Sequence, residues 1–484
     1  MSISSLIILI VLIIMIINLT LAAGVVFFER REIGYTWAWL LVLVFIPIIG
    51  FLIYVFLGRG VKRKNFYHLS SKERAYLQST VNEQLDLLKT NYERSFPLLK
   101  KYADLIRMNL KSSNAIMTTD NEIQIFDDGK EKFNALFKDI QSAKKEINIQ
   151  YYIIQRDSLG KRLRDELTKK AKEGVKVRIL YDEIGSRRIS PDFFKELISY
   201  GGQVEVFFPS FLKLINFRIN NRNHRKLCII DGKIAYIGGF NVGNEYLGLN
   251  KKFGYWRDTH LRVKGEAVFH IQGRFNLDWN QAGHKENKQI EEFMLPTEKH
   301  TGSSPVQIVA SGPNSRTEHL KNMYIKLISS ATKCVYIQTP YFIPDTSFMD
   351  VCKIALLSGL DVRIMIPSKP DHPFVEGANW AYVGELLSYG AKILLYENGF
   401  LHSKTIVVDQ EVASVGTMNI DTRSFRLNFE VNAIVYDEKI AQTLHSSFLR
   451  DSALCSELTL ERYMERSALM RIKESISRLL SPIL

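Results

Sequence analysis

Residues 223–231 read NHRKLCIID and residues 401–409 read LHSKTIVVD. A glycine-led tail ending in asparagine follows each: Gly238-Gly239-Phe240-Asn241 and Gly416-Thr417-Met418-Asn419. Both stretches carry the spacing H-x-K-x-x-x-x-D, with His224, Lys226 and Asp231 in the first and His402, Lys404 and Asp409 in the second. The apolar run after each lysine predicts a strand entering a turn. Residues two apart on a strand share a face, so histidine and lysine are expected side by side. One such match arises by chance in roughly one chain of this size in twenty. Two matches at equivalent places in a repeat do not. His319 and Lys321 show the contrast, because neither the aspartate at the required spacing nor the tail follows them.

The repeat extends outward from the motifs. INIQYYIIQRD (147–157), VKVRILYDE (175–183) and QVEVFF (203–208) precede the first. VYIQTPYFIPD (335–345), DVRIMIP (361–367) and AKILLYE (391–397) precede the second in the same order, so Asp157 corresponds to Asp345 and Arg178 to Arg363. These runs, rich in β-branched and aromatic residues, alternate with helical stretches. That pattern predicts an α/β fold of two duplicated lobes, each a mixed β-sheet flanked by helices, related by a pseudo-twofold axis. The lobes are expected over 121–290 and 305–450, joined by the polar segment 283–304 and preceded by a charged helical linker over 61–120. An amphipathic, basic tail over 451–484 is expected to pack on the second lobe, with the membrane surface as its other destination.

Upstream, Leu6 to Phe28 and Tyr35 to Leu57 contain no charged side chain, and each is long enough for a membrane-spanning helix. The polar residues Glu29, Arg30, Arg31 and Glu32 lie between them, so residues 1–60 read as a two-helix transmembrane hairpin with both ends on one side. Arg59, Lys62, Arg63, Lys64, Lys72 and Arg74 form a denser basic flank than the loop, which predicts cytoplasmic lobes. Trp37 and Trp39 suit an interfacial belt, and Pro47 and Gly50 predict a bent second helix. A signal peptide cleaved after Ala22-Ala23-Gly24 is the rival. It lacks a basic n-region, and a second span follows it. With no ionisable group inside either span, an anchor is expected, not a pore.

The 484 residues carry a formal charge of +13, which points to an acidic partner, either nucleic acid or an anionic lipid surface. Lys213, Arg218, Arg222 and Arg225, interleaved with Phe211, Leu212, Leu214, Ile215 and Phe217, form a basic-apolar stretch that suits a lipid surface or a solvated loop. The four cysteines are far apart and lack zinc spacing, so reduced thiols are expected.

The motif residues suit a two-step displacement at phosphorus. A neutral imidazole is nucleophilic near pH 7, and a second, protonated imidazole can donate to the departing alkoxide and later deprotonate the incoming hydroxyl. Lys226, Lys404, Asn241 and Asn419 supply donors to the non-bridging oxygens, so neither metal nor other cofactor is expected.

This paired signature resembles that of the phospholipase D superfamily. In that family two lobes share one active site, and the resemblance implies a phosphohistidine on His224, with His402 as acid and base. It also implies that Asp258 and Glu430, each opening a strand after a tail, accept a hydrogen bond from a catalytic histidine. Asp231 and Asp409 remain open between stabilising the lobes and direct catalysis. The anchor Trp37-Ala38-Trp39-Leu40-Leu41, the segments YYIIQRD, TPYFIPD and YWRDTHLRVKG, and the ending Leu479 to Leu484 are similar to the bacterial cardiolipin synthases over nearly the whole chain. Thr417 stands where the superfamily more often has serine. The resemblance implies transfer of a phosphatidyl group from one phosphatidylglycerol to another, in the bacterial plasma membrane. The expected partners are the bilayer and the anionic lipids phosphatidylglycerol and cardiolipin, with no nucleic acid. A phospholipase D hydrolase, another phosphatidyltransferase and a membrane-tethered nuclease use the same residues and are the alternatives.

Overall fold

The computed structural model describes residues 3–28, 33–46, 49–54, 66–67, 69–90, 97–210, 218, 220–283, 302–371 and 373–480. The chain forms two compact units. One contains Met1–Lys62 with Phe208–Asn221, the other Arg63–Phe207 with Arg222–Leu484.

In the first unit, helix Ile3–Phe28 has 26 residues. At 1.5 Å per residue it is about 39 Å long, enough to cross a hydrocarbon core. Its large apolar side chains stay exposed along most of its length. The hydroxyl of Thr20 donates back to the Ile16 carbonyl at 2.8 Å, so it carries no unmet donor into lipid. The second apolar stretch is shorter than expected as a single helix: Ile33–Phe45 is followed by Ile49–Ile53. Gly50 lies close to the preceding turn, where an added Cβ would fall 2.5 Å from the Val42 carbonyl oxygen. Among the described residues one helix is long and apolar enough to span a membrane. The two helical stretches pack through Leu21, Leu43 and Tyr54, with Trp39 edge-on to Tyr54 at 5.2 Å. The loop residues 29–32, Pro47 and most of the basic-apolar stretch (211–217 and 219) lie outside the described residues.

The second unit is built on one fifteen-stranded sheet. Its first half contains β1 (Met117–Phe126), β2 (Glu146–Tyr151), β3 (Lys176–Asp182), β4 (Gln203–Phe207), β5 (Leu227–Ile230), β6 (Ile234–Gly238), the short β7 (Trp256–Arg257) and β8 (His260–Lys264). The second half contains β9 (Ser304–Ser311), β10 (Cys334–Gln338), the short β11 (Phe342–Ile343), β12 (Asp361–Pro367), β13 (Lys392–Tyr396), the short β14 (Phe400–Leu401), β15 (Thr405–Val408), β16 (Val412–Gly416), the short β17 (Ile420–Asp421), β18 (Glu430–Val435) and β19 (Cys455–Leu458). Across the sheet the order is β4-β3-β2-β5-β6-β8-β1 and then β9-β18-β16-β15-β10-β12-β13, with β19 beyond. The second series retraces the first in reverse, which is the signature of a twofold between β1 and β9. The outer strands β2-β3-β4 and β10-β12-β13 pair in parallel, and the motif strands β5 and β15 run antiparallel to them. Such parallel strands need crossover connections over the sheet faces, which accounts for the helical stretches that separate them in sequence.

Two boundaries differ from expectation. β1 begins at Met117, inside the stretch read as linker, and β19 lies inside the stretch read as tail. The tail helix Ala468–Leu480 packs on helix Pro373–Leu387 with its polar side inward. Glu474 pairs with Arg466 at 2.7 Å and Ser477 is fully buried, whereas Leu469, Ile472, Ile476 and Leu479 are exposed. Residues 284–301 of the joining segment lie outside the described residues. All four cysteines are free thiols.

Candidate active site

Each motif histidine sits where its chain segment crosses one from the other half of the sheet. Before the first motif, Asn223 forms a parallel bridge with Phe429; the His224 N–H donates to the Phe429 carbonyl at 2.9 Å, and the Phe429 N–H donates to the Arg222 carbonyl at 2.8 Å. Before the second, β14 runs parallel to β7. There the His402 N–H donates to the Arg257 carbonyl at 2.7 Å, and the Phe400 N–H donates to the Tyr255 carbonyl at 2.8 Å. In both crossings the backbone of the histidine is held by the residue just before a carboxylate.

That register brings the side chains together. His224 Nδ1 lies 3.0 and 3.1 Å from the two oxygens of Glu430, and His402 Nδ1 lies 2.6 Å from Asp258 Oδ2. Each imidazole is therefore oriented by a carboxylate from the opposite half. Sequence had offered Glu430 and Asp258 without assigning either to a histidine. Both carboxylates are fully buried and each imidazole is about a tenth exposed. With Nδ1 donating to a carboxylate, Nε2 keeps its lone pair and faces away from the pair. Tyr152 covers His224 at 4.9 Å between ring centres, and Trp256 covers His402 at 5.1 Å.

Lys226 and Lys404 stand immediately before β5 and β15, so the histidines and lysines precede the strands that the spacing led one to expect them on, and each ammonium donates to the carbonyl of its own histidine, at 2.6 Å for Lys226. Lys404 also approaches His402 Nδ1 at 2.9 Å, beside the Asp258 carboxylate. Burial lowers both lysines, Lys404 to about 8 and Lys226 well below its ordinary value. Burial also lowers both imidazoles, His402 to about 3 with Lys404 adding to the effect, so both rest neutral. Asp258 is held below the usual carboxylate range: burial pushes it up, but Lys404 and His402 outweigh that. Each imidazole also feels the lysine of the other motif, which places both motifs in one electrostatic neighbourhood.

The tail asparagines differ. Asn241 is committed within its lobe, accepting from the Ile153 N–H at 3.1 Å and donating to the Tyr246 hydroxyl at 3.1 Å. Asn419 is buried beside Asp421, with its Oδ1 unpartnered among the described residues.

Asp231 and Asp409 are not brought to the imidazoles. They sit beyond the far ends of β5 and β15, each at φ +54°, a left-handed conformation that aspartate tolerates. Asp231 accepts from the backbone N–H groups of Lys144, Lys145 and Glu146 at 2.7–2.9 Å. Asp409 accepts from those of Thr332, Lys333 and Cys334 at 2.8–3.0 Å, and from Lys101 at 2.8 Å. In each lobe the motif aspartate ties a hairpin to the entry of the neighbouring strand.

Sequence reasoning missed the residues that lock the crossings. Arg225 donates to Asp278 at 2.6 Å and to the Glu430 carbonyl at 3.2 Å. Arg257 donates to Asp451 at 2.9 Å and to the Asp258 carbonyl at 2.5 Å. Gln150 and Gln338, equivalent in the repeat, donate to the same two aspartates at 2.7 and 2.8 Å. Arg222 and Arg225, read as part of a stretch suited to a lipid surface or a solvated loop, are instead almost fully buried, with Arg222 3.3 Å from Asp182. The available signal was alternation. Arg225 lies between His224 and Lys226, so it points to the opposite face of the chain and needs a buried anion there.

Comparison with known proteins agrees with this architecture. Residues 136–279 and 324–452, more than half of the chain, match the family model described as cardiolipin synthase, PLD-like domain. Residues 7–59 match a phospholipase D-nuclease N-terminal model. The chain is 52% identical over 485 residues to the major cardiolipin synthase ClsA of Bacillus subtilis (strain 168), covering 100% of both chains. It is 51% identical over 470 residues to a cardiolipin synthase of Staphylococcus aureus (strain Mu50), covering 97% of this chain and 95% of the relative. Among solved structures, phosphatidylserine synthase of Haemophilus influenzae Rd KW20 superimposes with a TM-score of 0.61 at 16% identity over 79% of this chain and 100% of its own, a likeness of fold. With the paired core, the N-terminal segment and half of all positions shared along the full length, the chain belongs to the cardiolipin synthase family of phospholipase D-like proteins.

Proposed function

We propose that this protein transfers a phosphatidyl group between two phosphatidylglycerol molecules through a phosphohistidine, releasing glycerol and giving cardiolipin. The observation that carries the mechanism is the crossed pairing, in which two neutral imidazoles each have Nδ1 tied to the other half's carboxylate and Nε2 free. In the first step His224 Nε2 attacks phosphorus. The bond to the glycerol oxygen breaks, and His402 gives that oxygen a proton. In the second step His402 takes the proton of a hydroxyl on another phosphatidylglycerol. That oxygen attacks phosphorus, and the P–N bond to His224 breaks. The arriving phosphodiester anion raises the proton affinity of His402, which supplies the acid form that burial disfavours in the empty site. Lys226 and Lys404 offer donors to the non-bridging oxygens, whose charge grows in the transition state. No step requires a metal or nucleotide. Assignment of His224 as nucleophile and His402 as acid and base follows the family.

The membrane is both substrate reservoir and location. The long apolar helix, the shorter stretch after it and the basic flank from Arg59 to Arg74 support a multi-pass anchor with cytoplasmic catalytic lobes in a bacterial plasma membrane. The apolar stripe of the tail helix, with Arg471 and Arg478 beside it, supports contact of the second lobe with anionic lipid.

The test is lipid product analysis after mixing purified full-length protein with phosphatidylglycerol vesicles. Cardiolipin and free glycerol in equal amounts are expected, with neither formed by His224→Ala. Phosphatidic acid as the main product would mean that water resolves the intermediate, and cleavage of added DNA would favour a nuclease.

A further inference from the structure

Behind the motif strand, a cavity of about 870 Å³ lies between helix Ser71–Thr90, helix Ala267–Gly283 and β9. It shares no residue with the crossed histidine–carboxylate pairs. Leu69, Leu77, Phe269, Leu277 and Ile308 contribute to a predominantly apolar wall. Its volume is that of a pocket for a sizeable organic ligand. Charge at its base is unbalanced. Lys72, Arg225 and Arg274 line it against a single carboxylate, Glu73, and Asp278 is already taken by Arg225 at 2.6 Å. Arg274 has no ion-pair partner among the described residues and rests on the Tyr67 ring at 5.5 Å. Burial and the neighbouring Arg225 depress its proton affinity, outweighing the opposite pull of Tyr67 and Asp278. His270 and His319, kept neutral by burial at about 4, add hydrogen-bonding groups without charge.

We propose that this cavity binds one anionic diacyl phospholipid, distinct from the lipid that reacts, with its phosphate on Arg274 and its chains along the apolar wall. A small soluble anion would leave that wall in water, and a zwitterionic headgroup would bring its own cation to Arg274. The site rests on the preceding functional reading only for the class of lipid. Arg225 connects it to catalysis, because the guanidinium that lines the cavity also donates to the Glu430 carbonyl at 3.2 Å.

The experiment is photolabelling of full-length protein in vesicles with phosphatidylglycerol carrying a diazirine on one acyl chain, followed by peptide mapping. It is run in the His402→Ala background so that the label is not consumed. Adducts are expected on 267–283 and 304–311. Gly273 faces open space, with nothing within 4 Å of an added Cβ, so Gly273→Leu fills the cavity without a backbone clash. That variant, and Arg274→Gln separately, should lower labelling of these segments about tenfold, the scale of one charge-assisted hydrogen bond. A phosphatidylcholine label should show the same drop. Absence of adducts on both segments, unchanged labelling in both variants, or equal labelling by phosphatidylcholine would overturn the proposal. Cardiolipin formation by the unmodified enzyme is measured separately, so failure of this site and failure of the functional reading remain distinguishable.

Discussion

The two crossings solve one problem with different residues. At the first, Glu430 reaches His224 with a long side chain, and Thr417 donates to its Oε2 at 2.5 Å. At the second, the shorter Asp258 reaches His402 and accepts the Thr259 N–H at 2.7 Å; Gly239 stands at the position of Thr417, where an added Cβ would fall 1.9 Å from Asp258 Oδ1. Each crossing is also locked by one guanidinium, but from opposite strands. Arg225 comes from the motif and lies over Phe429 at 5.5 Å, whereas Arg257 comes from the carboxylate strand, near Ser403. The twofold preserves the hydrogen-bond scheme and not the residue types. That leaves two histidines of similar geometry in different surroundings, as a division of labour between nucleophile and acid requires.

The largest expected effect separates those roles. His224→Ala should abolish turnover of any phosphodiester. His402→Ala should lose about 10²–10⁴-fold with phosphatidylglycerol but recover most of it on a substrate whose leaving group needs no proton, such as a nitrophenyl ester. Equal loss on both substrates by both variants would remove the distinction.

Next in size are the carboxylates, and here the crossing itself is at stake. Asp258→Asn should mimic His402→Ala in its dependence on the leaving group, and Glu430→Gln should mimic His224→Ala. Each is expected to lower kcat about 10²-fold or more through loss of tautomer and orientation. If each carboxylate tracked the histidine of its own half, the pairing would be wrong.

Sequence made the duplication legible, because the order of strands and the two motifs recur at matching positions. It also reached both carboxylates. It did not reach their exchange between halves, because the backbone bonds His224 to Phe429 and His402 to Arg257 connect segments roughly 150–200 residues apart, which no local periodicity encodes. The motif aspartates are the other instance. Identity and spacing left Asp231 and Asp409 open between direct catalysis and stabilising the lobes, whereas their left-handed backbone and three N–H donors apiece fit a structural clamp. Arg225 was visible as a charge but not as a buried one, since burial is decided by Asp278 in a helix some fifty residues later.

The clamp and the site therefore respond differently. Asp409→Ala should cost about 2–4 kcal/mol of stability, because it strands several buried donors, and folded molecules should keep turnover within a few-fold. Chemical denaturation beside active-site titration checks this; loss of turnover without loss of stability would return Asp409 to the catalytic group. On the pH axis, activity should fall as pH rises through about 8, where the Lys404 ammonium loses its proton, and the acid limb should lie below 6.5, where the depressed His224 imidazole gains a proton and stops being a nucleophile. A kcat/KM profile flat from pH 7 to 10 would remove Lys404 from charge stabilisation. The smallest effect belongs to the crossing difference. Thr417→Ser should be nearly neutral and Thr417→Val should cost about tenfold, while Gly239→Ala, which displaces Asp258, should cost more.

The most direct measurement is of the covalent intermediate. Full-length His402→Ala is mixed with a nitrophenyl phosphatidyl ester, quenched in alkali to preserve phosphohistidine, digested and sequenced by mass spectrometry. The account predicts a phosphatidyl group on His224 in the peptide carrying 223–231, and none when His224 is also replaced. A phosphatidyl group on another residue, or turnover of the ester with no adduct under single-turnover conditions, would contradict it.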